Sequence, residues 1–300
     1  MKNALSYLQP LLKVLAFFGC YIFLMAFSAA FLVPLLGRID PSVLTPAELD
    51  AMQSSPALLL LMQLASMIGL MLTLFFFSKL PPKKDYISLG LTGEHVLKDI
   101  GLGALAGTII ILLAFLVLWI TGTVSSLELN EAFSARELLL WFGIYLIVAF
   151  VEEVMFRGYF LNVFMERYTP FAAVLMSSLF FAFMHLLNPS FGWLGFLNIA
   201  LAGVLMGLLF FYRGNIWLPV GLHFGWNFVQ GTVLGFNVSG IDAENILSLQ
   251  LKGSELISGG EFGLEGSLVT TLVCLCAIIL LYFSGKLVFQ PLEFDEHEPD

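Results

Sequence analysis

The residues best suited to chemistry in this chain are two adjacent glutamates, Glu152 and Glu153, within an otherwise apolar stretch. Ionisable side chains inside a membrane-spanning segment are energetically costly and usually mark a functional site. Polar residues that can partner them follow in this and later apolar stretches: Arg157, His185, His223 and Asn227. These six residues form the candidate functional site.

The spacing within the first stretch predicts different roles for the two glutamates. Arg157 follows Glu153 by four residues, so the two side chains share one face of a helix and are expected to form an ion pair. Glu152 projects about 100° away around the helix and has no cation nearby in the sequence. We therefore predict a supporting role for Glu153 and Arg157, and a role as general base for Glu152.

The other candidates can reach the same depth in the membrane. Glu152 and His185 each lie about 25 Å from a helix hairpin centred near residue 169, at roughly 1.5 Å per residue. His223 and Asn227 are four residues apart and share one face of a third helix. We expect all four side chains to meet at one point.

A glutamate, two histidines and an amide suit hydrolysis. The glutamate can take a proton from water, while an imidazole and the amide can donate hydrogen bonds to a developing oxyanion. Glu152, His185 and His223 could instead bind zinc, since glutamate and histidine are ordinary zinc ligands. The residue types leave both mechanisms open.

The composition indicates what kind of protein must position these residues. Of the 300 residues, 59% are hydrophobic and 12% are charged, about half the charged share of a soluble domain. The chain is therefore expected to be a polytopic integral membrane protein in contact with lipid. The net charge of −9 comes without a basic patch, so no nucleic-acid partner is expected. Nothing in the sequence indicates an oligomeric state.

Apolar stretches near the length of about 20 residues needed to cross a bilayer predict the fold. The predicted class is an all-α transmembrane bundle of about eight spans. These cover residues 12–36, 57–78, 101–121, 136–160, 171–187, 193–212, 216–236 and 267–284.

The distribution of Lys and Arg predicts the orientation of the bundle. The basic loop PPKK at residues 81–84 contributes most, whereas the opposite side holds only Arg38, Arg136 and Lys252. Basic residues concentrate on the cytoplasmic side of a membrane. Both termini are therefore expected in the cytoplasm, in a bacterial cytoplasmic membrane.

Three pairs of glycines spaced four residues apart predict close contacts between helices. They are Gly103/Gly107, Gly203/Gly207 and Gly221/Gly225. The third pair brackets His223, and we expect it to press that histidine against a neighbouring helix.

Three motifs together resemble a known family. They read EEVMFRG at residues 152–158, FAFMH at 181–185 and HFGWN at 223–227. Their order and spacing are similar to those of the CAAX-protease and bacteriocin-processing (CPBP) intramembrane peptidases, relatives of the type II CAAX prenyl endopeptidase. The resemblance covers residues 136–236.

The resemblance implies an activity and a role for each motif residue. The expected activity is intramembrane hydrolysis of peptide bonds in membrane-embedded, hydrophobic or lipid-modified peptides. Glu152 would activate water with His185, and His223 with Asn227 would stabilise the oxyanion. Members have been described with and without a metal. We expect no obligatory cofactor, with zinc possible, because asparagine is an uncommon zinc ligand and Glu152 with one histidine suffices for base catalysis.

The resemblance also divides the chain. Residues 1–135 would form three transmembrane helices with their loops, and residues 136–236 a catalytic four-helix core of the CPBP type. Residues 237–300 would form an outer loop, the last transmembrane helix and an acidic cytoplasmic tail. The loop at residues 237–266 is polar and rich in glycine and is expected to be mobile.

Two other functions are compatible with the sequence. Buried Glu, His and Arg residues also relay protons in transporters. A proton-coupled transporter commonly shows paired repeats with broken helices, and the sequence has no such repeat. A non-catalytic membrane scaffold or immunity protein of the same fold is the other alternative, although intact motifs count against it.

Overall fold

The computed structural model describes residues 2–32, 55–79, 89–91, 93 and 95–284. Within these ranges the chain is mainly helical. The principal helices are α1 (Lys2–Leu32), α2 (Pro56–Lys79), α3 (Val96–Ile120), α4 (Ala135–Met165), α5 (Pro170–Met184), α6 (Trp193–Arg213), α7 (Trp217–Phe228) and α8 (Leu268–Phe283). Five of them are long and apolar enough to cross a membrane: α1, α2, α3, α4 and α6. The chain is a helical membrane protein.

Local signals in the sequence fix the starts of α4 and α5. The Ser134 hydroxyl accepts a hydrogen bond from the Glu137 backbone N–H, and the Glu137 carboxylate accepts one from the Ser134 backbone N–H at 2.7 Å. Each side chain thus satisfies a backbone donor that the helix leaves unpaired. Thr169 caps α5, with Pro170 in its first turn, where proline has no hydrogen bond to lose.

Helix α4 changes its winding at the glutamate pair. It is α-helical over Ala135–Glu153, π-helical over Val154–Leu161 and α-helical again over Asn162–Met165. Every residue of the π-helical stretch is buried. Such stretches are rare and occur often at functional sites.

Two of the glycine pairs pack against each other where α3 crosses α7. A methyl group added at Gly107 would overlap the Leu222 backbone, and one added at Gly221 would overlap the Ile100 backbone. Only glycine allows two helix backbones to approach this closely. The contact fixes α7, which carries two of the candidate residues, against α3.

The glycine face of α7 does not hold His223 as expected. Gly221 and Gly225 lie two residues before and after His223, which places the imidazole on the opposite face of the helix, about 200° away. The glycines face α3, whereas His223 contacts Glu153 on α4. His223 therefore lies against a neighbouring helix as predicted, but the glycine pair does not make that contact.

A small sheet corrects the all-α prediction. Strand β1 (Val124–Leu129) pairs antiparallel with β2 (Leu247–Leu251), with Leu127 opposite Leu249. The sequence LSLQL in β2 alternates apolar and polar residues, a period that suits a strand with one buried face. The rest of the described structure agrees with a helical bundle.

The segment expected to be a mobile loop is folded. After β2 it forms a helical turn, Glu255–Ser258, and two 3-10 turns, Gly260–Phe262 and Leu264–Gly266. Positive φ angles at Gly259 and Gly263 explain the glycine content, because other residues rarely adopt them.

Some predicted span boundaries require correction. Helix α5 ends at Met184 with His185 as its C-cap, so the span predicted over 171–187 is too long. The α-helical part of α7 ends at Phe228 and continues as a π-helical turn, Val229–Val233. The loop at residues 81–84 and the acidic tail lie outside the described residues.

Candidate active site

The predicted catalytic residues line one cavity. Its volume is about 230 Å³, and its wall includes Glu152, His185, His223 and Asn227. Helix α4 supplies the glutamate, the end of α5 supplies His185, and α7 supplies the other two. The expectation that these side chains lie at one depth agrees with this arrangement.

Glu152 lines the cavity, and its side chain is 26% exposed. Its Oε2 atom is buried, makes no hydrogen bond within the described structure, and lies 3.7 Å from Nε2 of His223. Glu152 also borders a second cavity of about 250 Å³, which Tyr21 and Met62 help to line. The carboxylate therefore has open space on two sides, and can accept a proton from a molecule in either.

Glu153 is fully buried behind the cavity and binds two partners through one oxygen. Its Oε1 atom accepts a hydrogen bond from Arg157 at 2.7 Å and lies 3.0 Å from Nδ1 of His223. The expected ion pair with Arg157 is present. Arg157 also donates to the Gly203 carbonyl at 3.1 Å and lies over the Phe181 ring. Several neighbours therefore stabilise its positive charge.

The contact with Glu153 determines which nitrogen of His223 faces the cavity. A carboxylate can only accept, so Nδ1 of His223 carries the proton in this bond. Nε2 then points towards Glu152. In the neutral ring Nε2 is an acceptor, and it becomes a donor only when the ring is protonated on both nitrogens.

His185, at the end of α5, is held through the same ring nitrogen as His223. Its Nδ1 atom lies 2.8 Å from the Phe181 carbonyl, which can only accept, so Nδ1 is the donor. Nε2 of the neutral ring is therefore an acceptor, able to take a proton from water or to bind a metal.

Phe181 is a supporting residue to which the sequence motif assigned no role. Its ring centroid lies 4.8 Å from that of His185 and 5.9 Å from that of His223, both edge-on. The same ring lies 4.7 Å from the Arg157 guanidinium carbon. Phe181 thus packs against both imidazoles and the buried cation, which explains why a phenylalanine precedes the histidine by one turn.

Asn227 lies one turn beyond His223 on the same face of α7. It is buried and lines the cavity, and its side chain forms no hydrogen bond to any other described residue. The amide can therefore donate to a group that enters the cavity.

The residues predicted as zinc ligands do not form a ready-made metal site. Within the described parts of the chain, no three His, Cys, Asp or Glu side chains come together closely enough to hold one ion. Nδ1 of His223 is bonded to Glu153, which leaves Nε2 towards the cavity. A carboxylate on the far nitrogen is also the usual partner of a metal-binding histidine, so this contact suits both acid–base chemistry and metal binding.

The cavity also contains residues that the sequence did not indicate. Val238, Ser239, Ile241 and Glu265 complete its wall, although all four follow the predicted catalytic core. Glu265 is 6% exposed, and burial raises the pKa of its carboxyl. In sequence it is one acidic residue in a polar, glycine-rich segment, so no local pattern distinguishes it from solvated neighbours.

Comparison with known proteins gives one match. The family model described as type II CAAX prenyl endopeptidase Rce1-like matches residues 134–229. This range contains all three motifs and begins at the Ser134 cap of α4. No curated protein and no solved structure matches the chain.

Proposed function

We propose, from the match of residues 134–229 to the Rce1-like family model of type II CAAX prenyl endopeptidases, that the chain is an intramembrane endopeptidase. It would hydrolyse peptide bonds in membrane-embedded or lipid-attached peptides and proteins. One observation carries the proposal. Glu152, His185, His223 and Asn227 line a single cavity in a chain whose long helices are mostly apolar.

The first step activates water. A water molecule between Glu152 and His185 loses a proton to the Glu152 carboxylate while its oxygen attacks the carbonyl carbon of the scissile bond. The position of Glu152 in the cavity wall, with its side chain 26% exposed, supports this role. The His185 tautomer supports it too, because Nε2 is an acceptor and holds the attacking water by one of its hydrogens.

The second step stabilises the charge that develops on the carbonyl oxygen. The Asn227 amide donates one hydrogen bond, and Nε2 of a doubly protonated His223 donates another. Glu153 supports this role of His223, since its carboxylate accepts from Nδ1 and favours the cationic ring. The tetrahedral intermediate then collapses, and the proton held by Glu152 passes to the leaving amine.

The substrate is expected to approach from lipid. The partners would be membrane lipid and a hydrophobic or lipid-modified peptide, since the cavity wall combines the polar groups with apolar side chains such as Phe156, Met184 and Met206. No metal ion is required as an obligatory cofactor in this mechanism.

The proposed location is a bacterial cytoplasmic membrane with both termini in the cytoplasm, and an even number of crossings would support termini on one side. The shorter apolar helices α5 and α8, together with α7 and its π-helical extension, would add three crossings to the five long helices. Accessibility of single cysteines tests this: Lys252→Cys should be labelled from outside intact cells, and Lys79→Cys only after the membrane is opened.

A comparison of Glu152→Gln with wild type tests the proposed activity. Both proteins would be produced in cells at equal levels, and the termini of membrane peptides compared by mass spectrometry. The matched control is Glu128→Gln, which changes an exposed glutamate on β1. The proposal expects new termini with wild type and Glu128→Gln but not with Glu152→Gln. Equal termini with all three proteins would favour a non-catalytic membrane protein of this fold.

A further inference from the structure

Part of the cavity wall comes from the segment after the family-matched region. Ser239 and Glu265 both line it, and both lie beyond residue 229, where the match ends. Glu265 is almost completely buried. Burying a carboxylate costs free energy unless several hydrogen bonds satisfy it. The hydrogen-bond partners of Glu265 therefore indicate its role.

The Glu265 carboxylate accepts three hydrogen bonds from two different parts of the chain. Oε1 accepts from the Trp226 indole N–H at 3.1 Å. Oε2 accepts from the Ser239 backbone N–H at 2.5 Å and from its hydroxyl at 3.1 Å. One side chain thus joins helix α7 to the turn at Ser239.

From Ser239 the connections continue to His185. The Ser239 carbonyl accepts a hydrogen bond from the Asn188 side chain at 3.0 Å, and the Asn188 backbone N–H donates to the His185 carbonyl at 3.0 Å. Ser239 has a φ of +49°, which a residue with a side chain rarely adopts. The bonds from Glu265 and Asn188 hold it there.

In the other direction the connections lead to Asn227. Trp226, which donates to Glu265, directly precedes Asn227 on α7. The backbone of Glu265 is itself fixed, because the Asn198 side chain on α6 donates to the Glu265 carbonyl at 2.7 Å. Helix α6 therefore holds the Glu265 backbone, while the Glu265 side chain binds Trp226 and Ser239.

We infer that Glu265 is a positioning residue that holds His185 and Asn227 at a set separation across the cavity. It does so through Ser239 and Asn188 on one side and through Trp226 on the other. The inference rests on the proposed function, in which His185 holds the attacking water and Asn227 binds the oxyanion. The outer segment is then part of the active site, although the family match does not include it.

The test compares Glu265→Gln with Glu261→Gln, an exposed glutamate in the same segment. Glutamine can keep one bond but its NH₂ group opposes the Ser239 or Trp226 donors. With a peptide found in the terminus comparison, kcat should fall about 10- to 100-fold in Glu265→Gln, the effect of a small misplacement of catalytic groups. KM should stay unchanged, and Glu261→Gln should match wild type.

A double variant separates positioning from a general loss of structure. Asn188→Ala interrupts the path to His185 without touching the buried carboxylate, and stands in if Glu265→Gln does not fold. If Glu265 acts through Asn188, part of the two losses in kcat is shared, and the double variant will lose less than their product. Losses that multiply fully, or a fall that appears only in KM, would overturn the inference.

A spectroscopic measurement keeps the inference separate from the proposed activity. With ¹⁵N-labelled histidine, only four side chains give signals, and His185→Gln identifies the relevant one. Glu265→Gln should shift the His185 signal, whereas Glu261→Gln should not. An unshifted signal overturns the inference whether or not the protein cleaves peptides. If Glu265→Gln shifts the His185 signal but the wild-type protein cleaves no peptide, Glu265 positions His185 and the proposed function is wrong.

Discussion

Nδ1 of His223 lies 3.0 Å from Oε1 of Glu153, the oxygen that Arg157 also contacts at 2.7 Å. One carboxylate oxygen therefore compensates a buried cation and orients an imidazole. The two adjacent glutamates thus have different environments. Glu152 faces the cavity, while Glu153 supports the histidine on its other side.

The first prediction concerns that shared oxygen. Glu153→Gln removes the negative charge and leaves Arg157 buried without its counter-ion. Breaking a buried ion pair in this way should lower the free energy of unfolding by about 3–5 kcal/mol. Denaturant unfolding in detergent, with Glu128→Gln as the control, measures the loss. Equal stability of the two variants would show that the Gly203 carbonyl and the Phe181 ring suffice for Arg157.

The second prediction concerns the amide of Asn227. Asn227→Ala removes a donor to the oxyanion and should lower kcat by about 10²- to 10³-fold, the effect of losing one such donor. KM should change little, because the hydrogen bond strengthens only as charge develops. Steady-state kinetics on a cleaved peptide measures both constants. If Asn227→Ala keeps the kcat of wild type, Asn227 does not stabilise the oxyanion.

The third prediction concerns metal removal. If Glu152 and His185 activate water without a metal, dialysis against a strong chelator should leave turnover unchanged, and elemental analysis should find no stoichiometric metal. Activity that is lost on dialysis and restored by zinc would contradict this. It would instead assign Glu152, His185 and His223 as ligands.

The fourth prediction concerns the contact between α3 and α7. At Gly107 an added methyl group meets the Leu222 backbone, whereas at Gly101, on the same helix, it meets nothing within 4 Å. Gly107→Ala should therefore lower the free energy of unfolding by about 1–3 kcal/mol through overpacking. Gly101→Ala should stabilise, since alanine is the better helix former by about 1 kcal/mol. Thermal unfolding of both variants in detergent tests the contrast, and equal shifts would contradict it.

The fifth prediction concerns pH. Burial raises the pKa of the Glu265 carboxyl above its ordinary value of 4.5, against the opposing effect of its bonds to Ser239. His185, Tyr145 and Cys274 are the titratable groups that interact with it. A raised pKa means that the folded state binds the proton more tightly than the unfolded state. The corresponding stability is present below pH 4.5 and is lost as pH rises through the folded pKa.

Glu265→Gln does not titrate at this position and provides the reference. The stability of wild type relative to this variant should fall as the pH is raised from about 4 to about 8. Unfolding of both proteins over this range measures the difference. A difference that grows with pH would mean that the Ser239 and Trp226 donors outweigh burial and lower the pKa.

Local sequence signals predicted much of the helical framework. The Ser134 capping box and Thr169-Pro170 set the starts of two helices, and the spacing of Glu153 and Arg157 gave their ion pair. Each depends on residues within one turn of a helix, where sequence distance determines spatial distance. The depth estimate for Glu152 and His185 used only helix rise, and both side chains line one cavity, although the π-helical stretch departs from the α-helical rise that the estimate assumed.

Contacts between distant segments could not be predicted in this way. Glu153 and His223 are 70 residues apart, and their contact depends on how α4 and α7 pack. The same holds for Glu265, whose partners Trp226 and Ser239 are 39 and 26 residues away. The composition of this segment is polar and rich in glycine. The burial of Glu265 depends on how the segment packs against the helices, which composition does not determine.

Helix α5 is short for a proposed membrane crossing. The helix has 15 residues and spans about 22 Å, less than a hydrocarbon core of about 30 Å. Leu187, just beyond it, is 96% exposed. A helix shorter than the bilayer is accommodated by local thinning of the lipid. Because His185 caps this helix, the proposed crossing by α5 would make the position of a proposed catalytic group depend on bilayer thickness.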